Sequence, residues 1–386
     1  MRWKRSRTVS TIVVASLLLI LPFLMAGSGQ AEILVIPALK TKITYYNHWN
    51  GTTNSVPGAL MDLYTSGNAF RGTIYADSKG YANWGTIDAG YYYIKATAAD
   101  GAGITLQYSS GQTWIFQSPT FYYNEVSSYT YTYAIPTTND QDHIWSTFEY
   151  VVWEKNWFMN HVPDWYPSGI TIFTPSTGWA WYQNVFRIEM YITTDSLSSA
   201  DYMNPANSMH EYAHHLMYWG RGGMPLISGP NPHYPDSEAQ PGSGHNWQFS
   251  YIEGWAEFMP CAVTNDPTMT KGWGSLEDAI YADGPWGHGN SGDWDGWDVE
   301  GANAAIWWDL LDGTNTNDHP QRPGFLFGDL LQKPFSVTWD IVAVHRPSDM
   351  WGFYGQFVSH FPGSESTQFY YICYNSLADR NNNYDT

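Results

Sequence analysis

The chain is poor in charge, poorer still in cations, and has almost no cysteine. Charged residues make up 14% of its 386 residues, well below the usual quarter. Asp and Glu number 36 against 17 Lys and Arg, a formal charge of −19. Four of those cations (Arg2, Lys4, Arg5, Arg7) stand at the very start, and no acid occurs through residue 31, so the rest is more acidic than the whole. Such a chain does not track a phosphate backbone, which argues against nucleic acid as a partner. Docking on an anionic membrane surface is disfavoured for the same reason. With only Cys261 and Cys373, at most one disulfide can close. Two buried free thiols is the other reading, and sequence gives no geometry to decide between them. Beyond the N-terminal leader no apolar run is long enough to span a bilayer, and no cysteine follows the leader to carry a lipid. No internal repeat is present.

Hydrophobic residues reach 43%, enough for a real core, and the length is comfortable for two domains. Aromatic residues are abundant at 17%. The leader has three parts: basic residues 2–7, an apolar run from Thr11 to Met25 broken by Pro22, and small residues through Gly29-Gln30-Ala31. That is the layout of a secretory signal peptide cleaved after Ala31. The alternative, an uncleaved anchor, has a short run for a span. The mature protein is expected to be exported, with no membrane span once the leader is removed. Nothing in the sequence fixes an oligomeric state.

Residues 38–136 read as short strands between turn signals. They are Ala59–Tyr64, Phe70–Asp77, Tyr81–Ile87, Tyr91–Ala98 and the strictly alternating Tyr129–Tyr133. This spacing predicts a small antiparallel β-sandwich. The order Val56-Pro57-Gly58-Ala59, strand, Asp77-x-x-Gly80-Tyr81, then Ala89-Gly90-Tyr91-Tyr92-x-Ile94 resembles the transthyretin-like, carboxypeptidase regulatory-like modules of secreted proteins. That resemblance implies an accessory domain. Asn50-Gly51-Thr52 is a glycosylation sequon. After the polar joint at Pro136–Asp140 the pattern turns helical, with helices expected at Ile144–Met159, Pro205–Trp219, near Phe249–Ala262 and at Val299–Leu311, and strands at Ile170–Phe173 and Phe186–Thr193. Strands followed by helices predict an α+β domain over 140–386.

The sharpest chemical signal is His210-Glu211-Tyr212-Ala213-His214. Asn204 can cap its helix, Pro205 suits the first turn and Gly220 suits the end. Four residues apart, His210 and His214 project from one face and can grip one Zn²⁺. Glu211 can reach the open side of the metal and take a proton from water. This is the HExxH pattern of zinc peptidases. The metzincin continuation fails, because its glycine and histidine positions hold Met217 and Gly220. The run Glu253-Gly254-Trp255-Ala256-Glu257 instead resembles the glutamate-bearing helix of the gluzincin peptidases. That resemblance implies a zincin-like catalytic domain preceded by the all-β sandwich. It makes Glu253 the third zinc ligand and Glu257 the acid behind the first histidine. Reversed roles for the two glutamates stay open. It also implies an oxyanion-stabilising donor further along, for which Tyr281, His288 and Glu300 are candidates. A carboxylate such as Glu300 donates only when protonated. Finally, it implies that the strand Phe186–Thr193 is the sheet edge along which an extended peptide lies.

Thirty-eight residues separate His214 from Glu253, a long Gly-, Pro- and Ser-rich loop that holds His233 and His245. Asp293, Asp295, Asp298 and Glu300 cluster in a pattern able to hold Ca²⁺, with a solvated turn as the alternative. A weaker calcium-like run ends the chain at Asp379–Asp385. The resulting expectation is an exported zinc peptidase acting on peptides or proteins, with Glu211 as general base. The alternative is a non-catalytic secreted binding protein whose aromatics form a carbohydrate or surface platform. A third reading makes residues 32–136 a removable propeptide.

Overall fold

The computed structural model describes residues 37–108, 110–137, 141–174, 181–184, 187–189, 205–225, 246–269, 275–276, 300–313 and 331–377. The leader, Tyr281, His288, Asp293, Asp295, Asp298, the loop with His233 and His245, and the run at Asp379 lie outside the described residues.

An all-β region comes first. Its strands are β1 (Leu39–Asn47), β2 (Thr52–Ser55), β3 (Leu60–Thr65), β4 (Phe70–Tyr75), β5 (Tyr81–Gly85), β6 (Gly90–Thr97), β7 (Ile104–Gln107), β8 (Ile115–Gln117), β9 (Phe121–Tyr123) and β10 (Tyr129–Ala134). One sheet is ordered β4-β3-β6, with β8 and β9 both on the far side of β6. In the other, β1 is flanked by β10 on one side and by β2 and β5 on the other. The sheets pack face to face. Phe121 of one stacks on Tyr131 of the other at 3.9 Å, and Phe116 meets Tyr133 at 5.5 Å. Met61, Leu63, Ile94 and Ala96 alternate inward, as the period of two requires. The sandwich is not wholly antiparallel as expected: β10 runs parallel to β1, Leu39 opposite Tyr129 through Thr44 opposite Ala134. Parallel partners need a long connection between them, and the eight intervening strands supply it.

A helical region follows, giving an α+β layout. Its helices are α1 (Gln141–His161), α2 (Pro205–Arg221), α3 (Trp247–Thr264), α4 (Glu300–Asp312), α5 (Phe335–Asp340, continued by a π turn at Ile341–His345), α6 (Met350–His360) and α7 (Ser364–Leu377). Among the described residues no helix is long and apolar enough to cross a membrane.

The two regions share a sheet, ordered β12-β13-β11-β7, formed with β11 (Ile170–Phe173), β12 (Trp181–Asn184) and β13 (Arg187–Glu189). β7 pairs in parallel with β11, Ile104 opposite Ile170 through Gln107 opposite Phe173. The approach is tight. Gly103 sits at φ +101, and a Cβ there would meet the Gly169 Cα at 2.7 Å. Helix α1 also packs against the β-region. Lys155 pairs with Asp100, Tyr45 with Glu149, and the Asn47 amide donates to the Tyr150 hydroxyl at 2.6 Å. Burial lowers the Lys155 ammonium to about 8 and raises the Glu149 carboxyl.

Candidate metal centre

The centre is built where α2, α3 and α4 meet. Helix α2 begins at Pro205, as the sequence predicts, but ends later than Gly220. Its last residue is Arg221, followed by Gly222 at φ +70. The Gly223 N–H reaches the Tyr218 carbonyl at 2.8 Å and the Gly222 N–H reaches the Trp219 carbonyl at 3.3 Å. That double closure is a Schellman motif, which needs a left-handed residue at Gly222 rather than at Gly220. Gly220 serves packing instead: a Cβ there would fall 2.2 Å from the Trp339 ring.

Helix α3 is capped by Asn246, whose side chain accepts from the Phe249 N–H at 3.1 Å, and ends at Asn265 in the left-handed region. The Trp255 indole N–H donates to the Ala213 carbonyl at 3.2 Å, which ties α3 to α2 one residue before His214. Trp255 is fully buried, with Trp307, Phe335 and Trp339 rings within 6 Å of its own. Gly254 lets α4 come close: a Cβ there would meet the Asn303 Cβ and the Glu300 carbonyl oxygen, each at 2.7 Å. The residue before it is Glu253.

This packing brings His210, His214 and Glu253 together, all buried. One donor atom from each lies within 4.8 Å of the others, the arrangement able to hold a metal ion. His210 Nε2 is 3.1 Å and His214 Nε2 is 3.4 Å from the same Glu253 oxygen. The two imidazoles are perpendicular, 4.8 Å between centroids. On the other side of the first ring, Glu257 Oε1 is 3.0 Å from His210 Nδ1. A carboxylate there fixes the tautomer and leaves Nε2 for a metal. Glu253 thus faces both histidine Nε2 atoms, and Glu257 faces the Nδ1 side of His210. Burial opposes ionisation of Glu253, but the two histidines facing it outweigh that, led by the charge of His214, and hold its carboxyl well below the usual range. Two imidazole nitrogens and a carboxylate oxygen are a donor set suited to zinc. Glu211 is buried on α2 beside the first histidine.

Glu300 is brought close to this centre. It opens α4, is buried, and its carbonyl abuts Gly254. Tyr281, His288 and the acids at 293–298 lie outside the described residues, so neither the oxyanion donor nor the calcium cluster is placed. Cys261 and Cys373 are not joined. Both are free and buried, on α3 and α7. The Cys261 thiol faces the Pro267 carbonyl, and burial pushes both thiols up. The strand expected to form the sheet edge is flanked on both sides in its described part, β13, by β12 and β11. Among the described residues the sheet ends on that side at β12, which contacts α2.

Sequence reasoning missed three neighbours of the site. His215 is fully buried, with Nε2 3.1 Å from the Ser168 carbonyl, and burial holds it at about 4. Glu154 of α1 is fully buried, and neither carboxyl oxygen has a hydrogen-bond partner among the described residues. Burial raises it well above the carboxylate range, and its charge bears on Tyr212, between the two metal-facing histidines. The signal for Glu154 was available: it stands three residues after Val151 and four before Phe158, on the apolar face of α1. The third is Asn303, whose approach to Gly254 leaves no mark in the sequence.

No protein-family model matches this chain, and no curated protein matches it. Among solved structures it is similar over 26% of its length to the Bacillus anthracis TIE protein, at 19% identity and a TM-score of 0.19; the match spans 17% of that chain. It is similar over 26% of its length to Klebsiella pneumoniae 5-hydroxyisourate hydrolase, at 15% identity and a TM-score of 0.18, covering 84% of that chain.

Proposed function

We propose that this protein is an exported zinc-dependent peptidase of the gluzincin type, its helical region a zincin-like catalytic domain. The observation that supports the reading is the convergence of His210, His214 and Glu253 within 4.8 Å, with Glu257 behind His210 and Glu211 buried beside it. His210, His214 and Glu253 would hold the ion, and Glu257 would orient His210. Zinc bound there supplies Lewis acidity, polarising a carbonyl and making water acidic. Glu211 then takes a proton from the attacking water as its oxygen bonds to the carbonyl carbon. It returns that proton to the amide nitrogen as the C–N bond breaks. Among the described residues β12 ends the sheet on the side of α2, and its backbone would carry an extended peptide by main-chain hydrogen bonds.

The test combines metal analysis with cleavage of an unfolded protein such as casein. One zinc per chain and chelator-sensitive cleavage are expected. Glu211→Gln should keep its zinc and lose cleavage by a factor of about 10² to 10⁴. Full activity in that variant refutes the mechanism, and absence of bound metal refutes the centre.

A further inference from the structure

The outer face of the five-stranded sheet carries a feature unrelated to the metal centre. Register places Phe70, Tyr64 and Tyr93 directly opposite one another across β4, β3 and β6. Tyr91 lies two residues before Tyr93, on the same face, and is opposite Tyr122 of β9. The rings are in contact: Tyr64 to Phe70 at 5.5 Å, Tyr64 to Tyr93 at 5.3 Å and Tyr91 to Tyr122 at 4.9 Å between centroids. Five aromatics thus follow one path across four strands, about 14 Å at the spacing of sheet neighbours. Cross-strand pairing accounts for their contacts. It does not account for their exposure: Phe70 is 56%, Tyr91 60% and Tyr122 53% exposed, in a chain with ample core to hide them.

Polar groups border this path. The Tyr93 hydroxyl donates to Asn68 at 2.9 Å, Thr73 donates to Asp62, and the Lys95 ammonium lies 5.0 Å from the Tyr64 ring. Gln117 stands opposite Lys95. Charge selects the occupant. Asp62 and Lys95 offset each other beside the rings, while the chain as a whole carries −19 and repels polyanions and anionic bilayers. A buried protein interface needs a contiguous apolar centre, whereas here a polar row adjoins the rings. Exposed aromatic surface alternating with hydrogen-bonding groups fits an uncharged sugar polymer. Its C–H faces lie on rings and its hydroxyls meet the polar row.

We infer that this face binds a neutral polysaccharide, seated on Phe70, Tyr91 and Tyr122. The inference is independent of the metal centre. The full-length mature chain would be run in native gels containing mixed-linkage β-glucan, arabinoxylan, galactomannan or glycol chitin. Retardation by at least one polymer is expected, about tenfold weaker for each aromatic pair lost. Phe70→Ala, Tyr91→Ala and Tyr122→Ala together should abolish it while circular dichroism and bound metal stay unchanged. Phe70→Trp, which keeps an aromatic surface, should retain it and guards against a folding defect in the triple variant. No retardation by any of the four polymers overturns the proposal, as does retardation that survives the triple substitution. A wild-type dimer in sedimentation that the triple variant converts to monomer overturns it in favour of self-association.

Discussion

Gly254→Ala tests whether the approach of α4 to α3 sets the position of Glu253. A Cβ at 254 would lie 2.7 Å from the Asn303 Cβ, 2.7 Å from the Glu300 carbonyl oxygen and 3.3 Å from the Ala304 nitrogen. Two of these three are backbone atoms, and no rotamer change moves them. Relaxing 2.7 Å to an ordinary contact near 3.5 Å requires the helices to part by about 0.8 Å. Overpacking of this kind costs about 1–3 kcal/mol. Replacing glycine inside a helix returns about 1 kcal/mol of propensity. The difference is a net loss of up to about 2 kcal/mol, read as a lower midpoint in urea unfolding. The displaced residue adjoins Glu253, so metal affinity should fall as well, measured by competition with a chromogenic chelator. Gly220→Ala supplies the control. Its Cβ would strike Trp339 at 2.2 Å, away from the three ligands, so it should lose stability without a comparable loss of metal affinity. A Gly254→Ala variant of unchanged or greater stability and unchanged metal affinity would refute the reasoning.

Three further outcomes follow from the geometry. Glu257→Gln should weaken metal binding about 10- to 100-fold through His210, and equal affinity in the same competition assay would remove Glu257 from its orienting role. Glu154 has a raised pKa in the folded state, so above the unfolded value near 4.3 the folded chain holds the extra proton and stability falls as pH rises towards the folded pKa. Glu154→Gln lacks that titration; its stability relative to wild type should climb with pH across this window, and a pH-independent difference contradicts the assignment. A chain beginning at residue 137 loses β7 and should fail to unfold cooperatively in urea, whereas a soluble, cooperative, metal-binding fragment would show that β11 does not need its partner.

The two helices of the candidate metal centre were legible because their chemistry is local. His210 and His214 need only the repeat of one helix to share a face, and Glu253 and Glu257 need only another. Existence and type of most strands were legible for the same reason, since alternation is written along a strand. What could not be read depends on partners distant in sequence. The parallel pairing of β1 with β10 and of β7 with β11 joins segments separated by whole elements, and alternation says nothing about which neighbour a strand takes. The edge was misassigned for this reason: Arg187–Glu189 looks the same in sequence whether β12 covers it or not. Gly220 was read as a helix end because glycine commonly ends helices. Its reason is the Trp339 ring, over a hundred residues away, while Gly222 carries the positive φ.

The shared sheet bears on the reading of residues 32–136 as a removable propeptide. Removing them would strip β11 of β7 and leave the main-chain groups of Ile170–Phe173 open along that side. It would also uncover Val152, 3.3 Å from where a Cβ at Gly58 would stand, and orphan the buried Lys155 and the half-buried Glu149, whose partners Asp100 and Tyr45 come from the departing segment. An unpaired buried charge is among the costliest defects a core can carry. Helix α1 bears both groups on the face that meets the β-region, and it packs directly on α2, which carries His210 and His214. Loosening α1 would therefore reach the metal centre through a single helix contact. A segment so placed supports the helices that carry His210, His214 and Glu253 rather than masking them.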